Sequence, residues 1–265
     1  NLCRYHNVEG FISCGMYYNR NKPWELALQN SIYNFICIHK EGVGCTYRLL
    51  KNVIAPKIKK NQKFYGDKLI VSTPAIKKAL NYINYCDPNI IHVAGVSRLN
   101  YLLDKIKHKK LNNILENKKT ITLFTFMISP PPWDEVLFAE KGYLQLFYNV
   151  HGYIARFAVE HPHLKVNVKC KFINYKFAKK FLRAVRLHSG KYFRDIKNLI
   201  LLVHENPQDL IMKSKVIIGF GSTVLYESMI SNKIVIHPWF DEVTNKYLHL
   251  NNHEPNDNHF HYAFS

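Results

Sequence analysis

From residue 120 onward the chain alternates between two hydrophobic rhythms. "ITLFTFMI" (121–128) is an apolar run rich in β-formers, ended by the block "SPPP". "LQLFYNVHGYIARFAVE" (144–160) carries apolar residues at helical spacing and stops at His161-Pro162. "KVNVKCK" (165–171) alternates as a strand does, and "YKFAKKFLRAVRLH" (175–188) is amphipathic with a helical period. "NLILLVH" (198–204) is a buried strand, and "PQDLIMKS" (207–214) is a short helix opened by proline. "KVIIGF" (215–220), a helix over about 222–231 and "KIVIHP" (233–238) complete the series. Apolar strands that alternate with helices predict a parallel sheet covered on both faces, here five strands in one Rossmann-like domain.

The first 110 residues repeat the pattern less cleanly. "FICIHKEG" (35–42), "DKLIVST" (67–73) and "NIIHVAG" (89–95) are the strand candidates. "PAIKKALNYINY" (74–85) and "SRLNYLLDKIKH" (97–108) are the helix candidates, and the polar "KKLNNILENKK" (109–119) is the natural boundary. The expectation is an α/β chain of two Rossmann-like lobes with parallel sheets: residues 1–112, residues 113–245, and a polar tail or crossover over 246–265. With so few strands, the first lobe is expected to be incomplete, in keeping with a chain that starts at Asn1 without Met.

Composition narrows this picture. A chain of 265 residues, 47% hydrophobic and 14% aromatic, buries a sizeable core and is not disordered. No apolar run reaches the roughly 18 residues of a membrane span. Six cysteines without a C-x-x-C pair, and no N-x-S/T sequon, point to reduced thiols and a cytoplasmic protein. The formal charge of +18 favours anionic partners, whether nucleic acid, acidic lipid or phosphorylated substrate. Much of that charge lies in "KIKKNQK" (57–63) and "DKIKHKK" (104–110), which also read as solvated faces.

One stretch bears chemistry. In "GFGSTVLYE" (219–227) a strand leaves through glycines, and Ser222 or Thr223 stands where a helix cap belongs. Free N–H groups at such a helix start make a phosphate seat at the carboxyl end of a parallel strand, with Gly221 in the turn. Glu227 lies one turn on and could accept hydrogen bonds from a ribose. The plainer alternative is that Ser222 only caps the helix and Glu227 is solvated. The stretch is neither a G-x-G-x-x-G fingerprint nor a P-loop.

Residues 206–242, "NPQDLIMKSKVIIGFGSTVLYESMISNKIVIHPWFDE", resemble the nucleotide-binding half of GT-B glycosyltransferases. The nearest look is to bacterial surface-carbohydrate and capsule enzymes, with CDP-glycerol glycerophosphotransferases and Kdo transferases as relatives. Pieces at 39–42, 93–102, 121–126 and 161–171 fit in order. The resemblance implies that Gly221, Ser222 and Thr223 contact a diphosphate and Glu227 a ribose. Where the glycerophosphotransferases have an aspartate-tyrosine-serine turn, this chain has "GFGST", so it departs from that branch.

Further candidates follow. Lys169 and Lys171 alternate on one strand and share a face, where they could meet the diphosphate or merely face solvent; the resemblance supports the first, through a similar K-x-K. Arg98 could grip an anion through its planar fork or simply open a helix. A transferred sugar needs a base for the acceptor hydroxyl, for which Glu41, with His39 beside it, is the candidate; both could equally sit in a polar loop. Trp133, after the prolines, is a wall of the cleft or a stacking ring. His249 and His253 have i,i+4 spacing in a stretch poor in helix formers, and neither a metal nor a cofactor is expected. The implied activity is a GT-B glycosyltransferase moving a sugar from a nucleotide-sugar donor to a surface-polysaccharide or lipid-linked acceptor. It would work in the cytoplasm, in peripheral contact with anionic membrane. The alternatives are a non-hydrolysing sugar-nucleotide epimerase, for which no carboxylate pair stands out, and a nucleic-acid-binding or inactive scaffold protein. No RNP, KH or zinc-finger pattern supports nucleic acid, which is not expected as a partner.

Overall fold

A computed structural model describes residues 8–14, 22–29, 31–39, 63–111, 119–126, 140–219, 222–238 and 261–263. The chain divides into two compact units, Asn1–Asn100 and Tyr101–Ser265. Both are parallel α/β sheets, as the alternation of strands and helices requires.

In the first unit β1 (Gly10–Ser13), β2 (Asn34–Ile38), β3 (Lys68–Val71) and β4 (Ile91–Val93) pair side by side in that order, all parallel. Helix α1 (Lys22–Leu28) precedes β2 and α2 (Pro74–Tyr82) precedes β4. Alternate residues Phe35, Cys37, Leu69 and Val71 are buried with Ile76, Ala79 and Leu80 of α2 in one core. Thr73 caps α2 by accepting the Ile76 N–H at 3.3 Å, and Pro74 takes the first helical position, where no N–H is needed. β1 and α1 were not legible in the sequence. "GFIS" is too short to show a period, and its Ile12 is 70% exposed.

The division comes earlier than the expected 112. Helix α3 (Asn100–Leu111) lies almost wholly in the second unit, where Lys105 Nζ meets Asp209 at 2.7 Å and the Tyr101 hydroxyl donates to the same carboxylate at 3.2 Å. A sequence window cannot register a pairing so remote in the chain.

The second unit comprises β5 (Thr120–Phe124), α4 (Glu140–Glu160), β6 (Lys165–Lys169), α5 (Tyr175–Ser189), β7 (Leu199–Leu202), α6 (Pro207–Lys213), β8 (Val216–Gly219), α7 (Thr223–Ile230), β9 (Ile234–Pro238) and β10 (His261–Ala263). The strand order is β10-β9-β8-β5-β6-β7, all parallel. The chain runs outward from β5 to β7, returns across β5 to β8, and continues the other way. Residues 261–263, expected in a polar tail, instead add a sixth strand. Consecutive residues of β5 show that both faces are covered. Leu123 packs with α4 and α5, and Phe124 with α6 and α7.

Two details fix this unit. A Cβ on Gly152 would stand 2.3 Å from the His188 ring, so only glycine lets α4 approach α5 this closely. Under the sheet, Asn167 Nδ2 donates to Thr122 Oγ1 at 3.2 Å, and the Thr122 and Ser214 hydroxyls are 2.7 Å apart. Since the Ser214 hydroxyl donates to the Leu210 carbonyl oxygen, Thr122 must donate to Ser214. This relay links β6, β5 and the entry to β8 in one register.

Candidate functional site

All six strands of the second unit end on one edge, and its centre is defined by register. Phe124 pairs with Gly219 on one side and with Lys169 on the other, and Lys169 pairs with Leu202. Gly219, Phe124, Lys169 and Leu202 therefore form a transverse row at the carboxyl edge. The direction of winding reverses between β5 and β8, and in open α/β sheets such a reversal leaves a crevice at the carboxyl ends.

Beside this row α7 begins. Ser222 is extended (φ −113°, ψ 142°), and its hydroxyl oxygen faces the Val224 N–H at 3.4 Å, a long and weak cap. Thr223 opens the helix, and both residues are half-buried. Gly219 has a packing role that the sequence did not suggest. A Cβ there would stand 2.8 Å from Leu225 Cδ2, so the glycine leaves room for that side chain of α7. Gly221 lies outside the described residues.

Glu227, four residues after Thr223, is fully buried at 0% exposure. The solvated alternative is therefore excluded. A carboxylate removed from water is strongly disfavoured unless neighbouring groups hold it, and Glu227 does interact with its surroundings. Its backbone oxygen accepts from the Ser231 N–H and hydroxyl at 3.1 and 2.8 Å.

The two lysines part company. Lys169 ends β6 and is buried, its Nζ donating to the carbonyl oxygens of Cys170 and Val203 at 2.6 Å each. Burial lowers its pKa from the ordinary lysine value. Lys171 lies beyond the strand and is exposed, so the expected shared face is not formed. β6 stops at Lys169, two residues before the alternation in "KVNVKCK" does.

Sequence reasoning passed over His151. It is buried in α4, with Nδ1 2.7 Å from the Phe147 carbonyl oxygen and Nε2 hydrogen-bonded to the Thr125 hydroxyl. Thr125 follows β5 directly, and its N–H donates to the Lys169 carbonyl oxygen at 3.0 Å. Burial holds the His151 pKa down at about 4. A histidine on the apolar stripe with Phe147, Ile154, Ala155 and Ala158 was the available signal.

In the first unit, His39 follows β2, is buried, and donates its backbone N–H to the Ile70 carbonyl oxygen at 2.8 Å. Arg98 is exposed in a short 3₁₀ turn, Ser97–Leu99. Glu41, Trp133, His249 and His253 lie outside the described residues. Among the described residues no helix is long and apolar enough to cross a membrane.

The sequence matches no known protein family and no curated protein. Its structure is similar to that of S. aureus MnaA with UDP, at 13% identity and a TM-score of 0.54 over 89% of this chain and 60% of that one. It is also similar to a candidate UDP-N-acetylglucosamine 2-epimerase from Listeria monocytogenes, at 14% identity and a TM-score of 0.52 over 89% of this chain and 58% of that one. The chain thus spans less than two thirds of the length of either structure. What it shares with them is the fold, a GT-B-like pair of parallel, Rossmann-like α/β units.

Proposed function

We propose that the chain belongs to a glycosyltransferase whose nucleoside diphosphate sugar binds at the crevice between β5 and β8, and whose sugar passes to a glycan or lipid-linked acceptor. The observation that carries this reading is the coincidence of three features at one edge: the reversal of strand order, the Ser222-capped start of α7 and the buried cation of Lys169 in the same row. The N–H groups of α7 favour the diphosphate, and Lys169 adds positive charge behind it. Glu227 is assigned to the ribose hydroxyls. The UDP held by MnaA, a protein of this fold, supports the ligand class.

In the transfer, the bond between the sugar and the diphosphate breaks, and the leaving charge falls on the start of α7. Glu41, with His39 near it in sequence, is the proposed base for the acceptor hydroxyl, and Arg98 a candidate anion grip. Epimerisation is the second reading, supported by the similarity in fold to the candidate 2-epimerase from Listeria monocytogenes.

Thermal shift and calorimetry with UDP, CDP, GDP and their sugars test the site. One nucleotide class should stabilise the chain, and Ser222→Ala should weaken it by about 1–2 kcal/mol. Glu227→Gln should weaken nucleoside and nucleotide alike, whereas Glu41→Ala should spare donor binding and abolish transfer. NMR of a bound sugar nucleotide without acceptor separates the two readings, because only an epimerase changes a ring carbon's configuration while the sugar stays on its nucleotide. No binding by any nucleotide, or binding indifferent to Ser222→Ala, overturns the site.

A further inference from the structure

The outer face of α5 combines exposed cations with exposed apolar side chains. Its inner residues Phe177, Phe181, Ala184 and Val185 are buried, whereas Lys176, Lys179, Arg183 and Arg186 are all exposed. At helical spacing these cations make one stripe, because positions 176, 179, 183 and 186 are three or four apart. Apolar side chains flank the stripe in the open. Tyr175 is 81% exposed, Leu187 64% and Leu182 48%. The approach to the helix adds Phe172 at 46%, and its exit adds Tyr192 at 54%. Between residues 171 and 197 the only carboxylate is Asp195, which lies 3.8 Å from Arg194.

A solvated helix face needs charge but no exposed leucines, and an interface with another protein core needs leucines but not four cations with no carboxylate between residues 171 and 194. A face with both matches the boundary of an anionic bilayer, where basic groups meet phosphate and aliphatic groups enter the acyl margin. Nucleic acid would use the cations and the tyrosines, yet offers Leu182 and Leu187 nothing. We infer that the outer face of α5 is a docking surface for anionic phospholipid, with Lys176, Lys179, Arg183 and Arg186 on the headgroups and Leu182 and Leu187 beneath them. This assignment stands apart from the nucleotide site and does not depend on it.

Sedimentation of the full chain with phosphatidylcholine vesicles, with and without phosphatidylserine, tests it. Binding should require phosphatidylserine and weaken as salt rises. The pair Lys179→Glu and Arg183→Glu should reduce it roughly tenfold or more. The pair Leu182→Ser and Leu187→Ser should also reduce it, most visibly at high salt, where insertion outlasts the screened charges. All four side chains are exposed, so an unchanged melting temperature in each variant confirms that the fold is intact. Binding that ignores both pairs overturns the inference, as does no binding at any salt. So does tighter binding to single-stranded oligonucleotides that the leucine pair leaves unchanged.

Discussion

The His151 imidazole accepts the Thr125 hydroxyl hydrogen at Nε2 while its Nδ1–H donates to the Phe147 carbonyl oxygen at 2.7 Å. A carbonyl can only accept, which fixes the tautomer, and the ring serves as a neutral bridge between α4 and the residue leaving β5. Burial keeps it neutral down to about pH 4, against an ordinary value of 6.5. The unfolded chain takes up this proton first, so the associated stability is complete above pH 6.5 and is lost progressively as pH falls toward 4. That loss should reach about 3 kcal/mol. Urea unfolding between pH 4 and 7 should show a steeper decline for the natural chain than for His151→Leu; parallel declines would remove the claim.

Gly152→Ala should wedge α4 from α5, because the new methyl meets the His188 ring, which already packs edge-on against Tyr153. We expect a cost of about 1–3 kcal/mol, read as a lower melting temperature. Combining it with His188→Ala should recover part of that loss by making room.

Thr122→Val keeps the shape of the side chain but takes away both bonds of the hydroxyl relay. Asn167 Nδ2 then loses its acceptor and Ser214 its donor, all within a buried region. About 1–3 kcal/mol should be lost in urea titration, whereas Thr122→Ser should retain more of the stability.

The thiols should react unequally. Burial raises Cys170 to about 12 and Cys86 to about 11, while Cys14 is exposed. Alkylation of the folded chain at pH 8, followed by peptide mapping, should mark Cys14 and spare Cys86 and Cys170 until denaturant is added. Equal labelling of all three would contradict this burial.

Much of the second unit was legible because its strands are buried on both faces and its helices are long enough to show a period. "KVIIGF" and "KIVIHP" became β8 and β9, and Ser222 caps α7. What stayed hidden depends on the third dimension. The bond from the Lys169 ammonium to the Val203 carbonyl oxygen, the Tyr101–Asp209 bond and the partnership of His151 with Thr125 join residues distant in sequence. Gly219 was read as a close approach to a ligand, whereas the neighbour that fills the space beside it is Leu225 of α7.

The return of the chain to β8 also sets an order of assembly. Thr122 and Ser214, which join β5 to the entry of β8, are 92 residues apart in sequence. Closing so long a loop costs more entropy than joining β5 to β6, and contacts of this range form slowly. During synthesis β5, β6 and β7 can collapse with α4 and α5 while one wall of the crevice has yet to leave the ribosome. If the proposed nucleotide binds there, it binds only the finished unit and so favours that unit over any partly folded form.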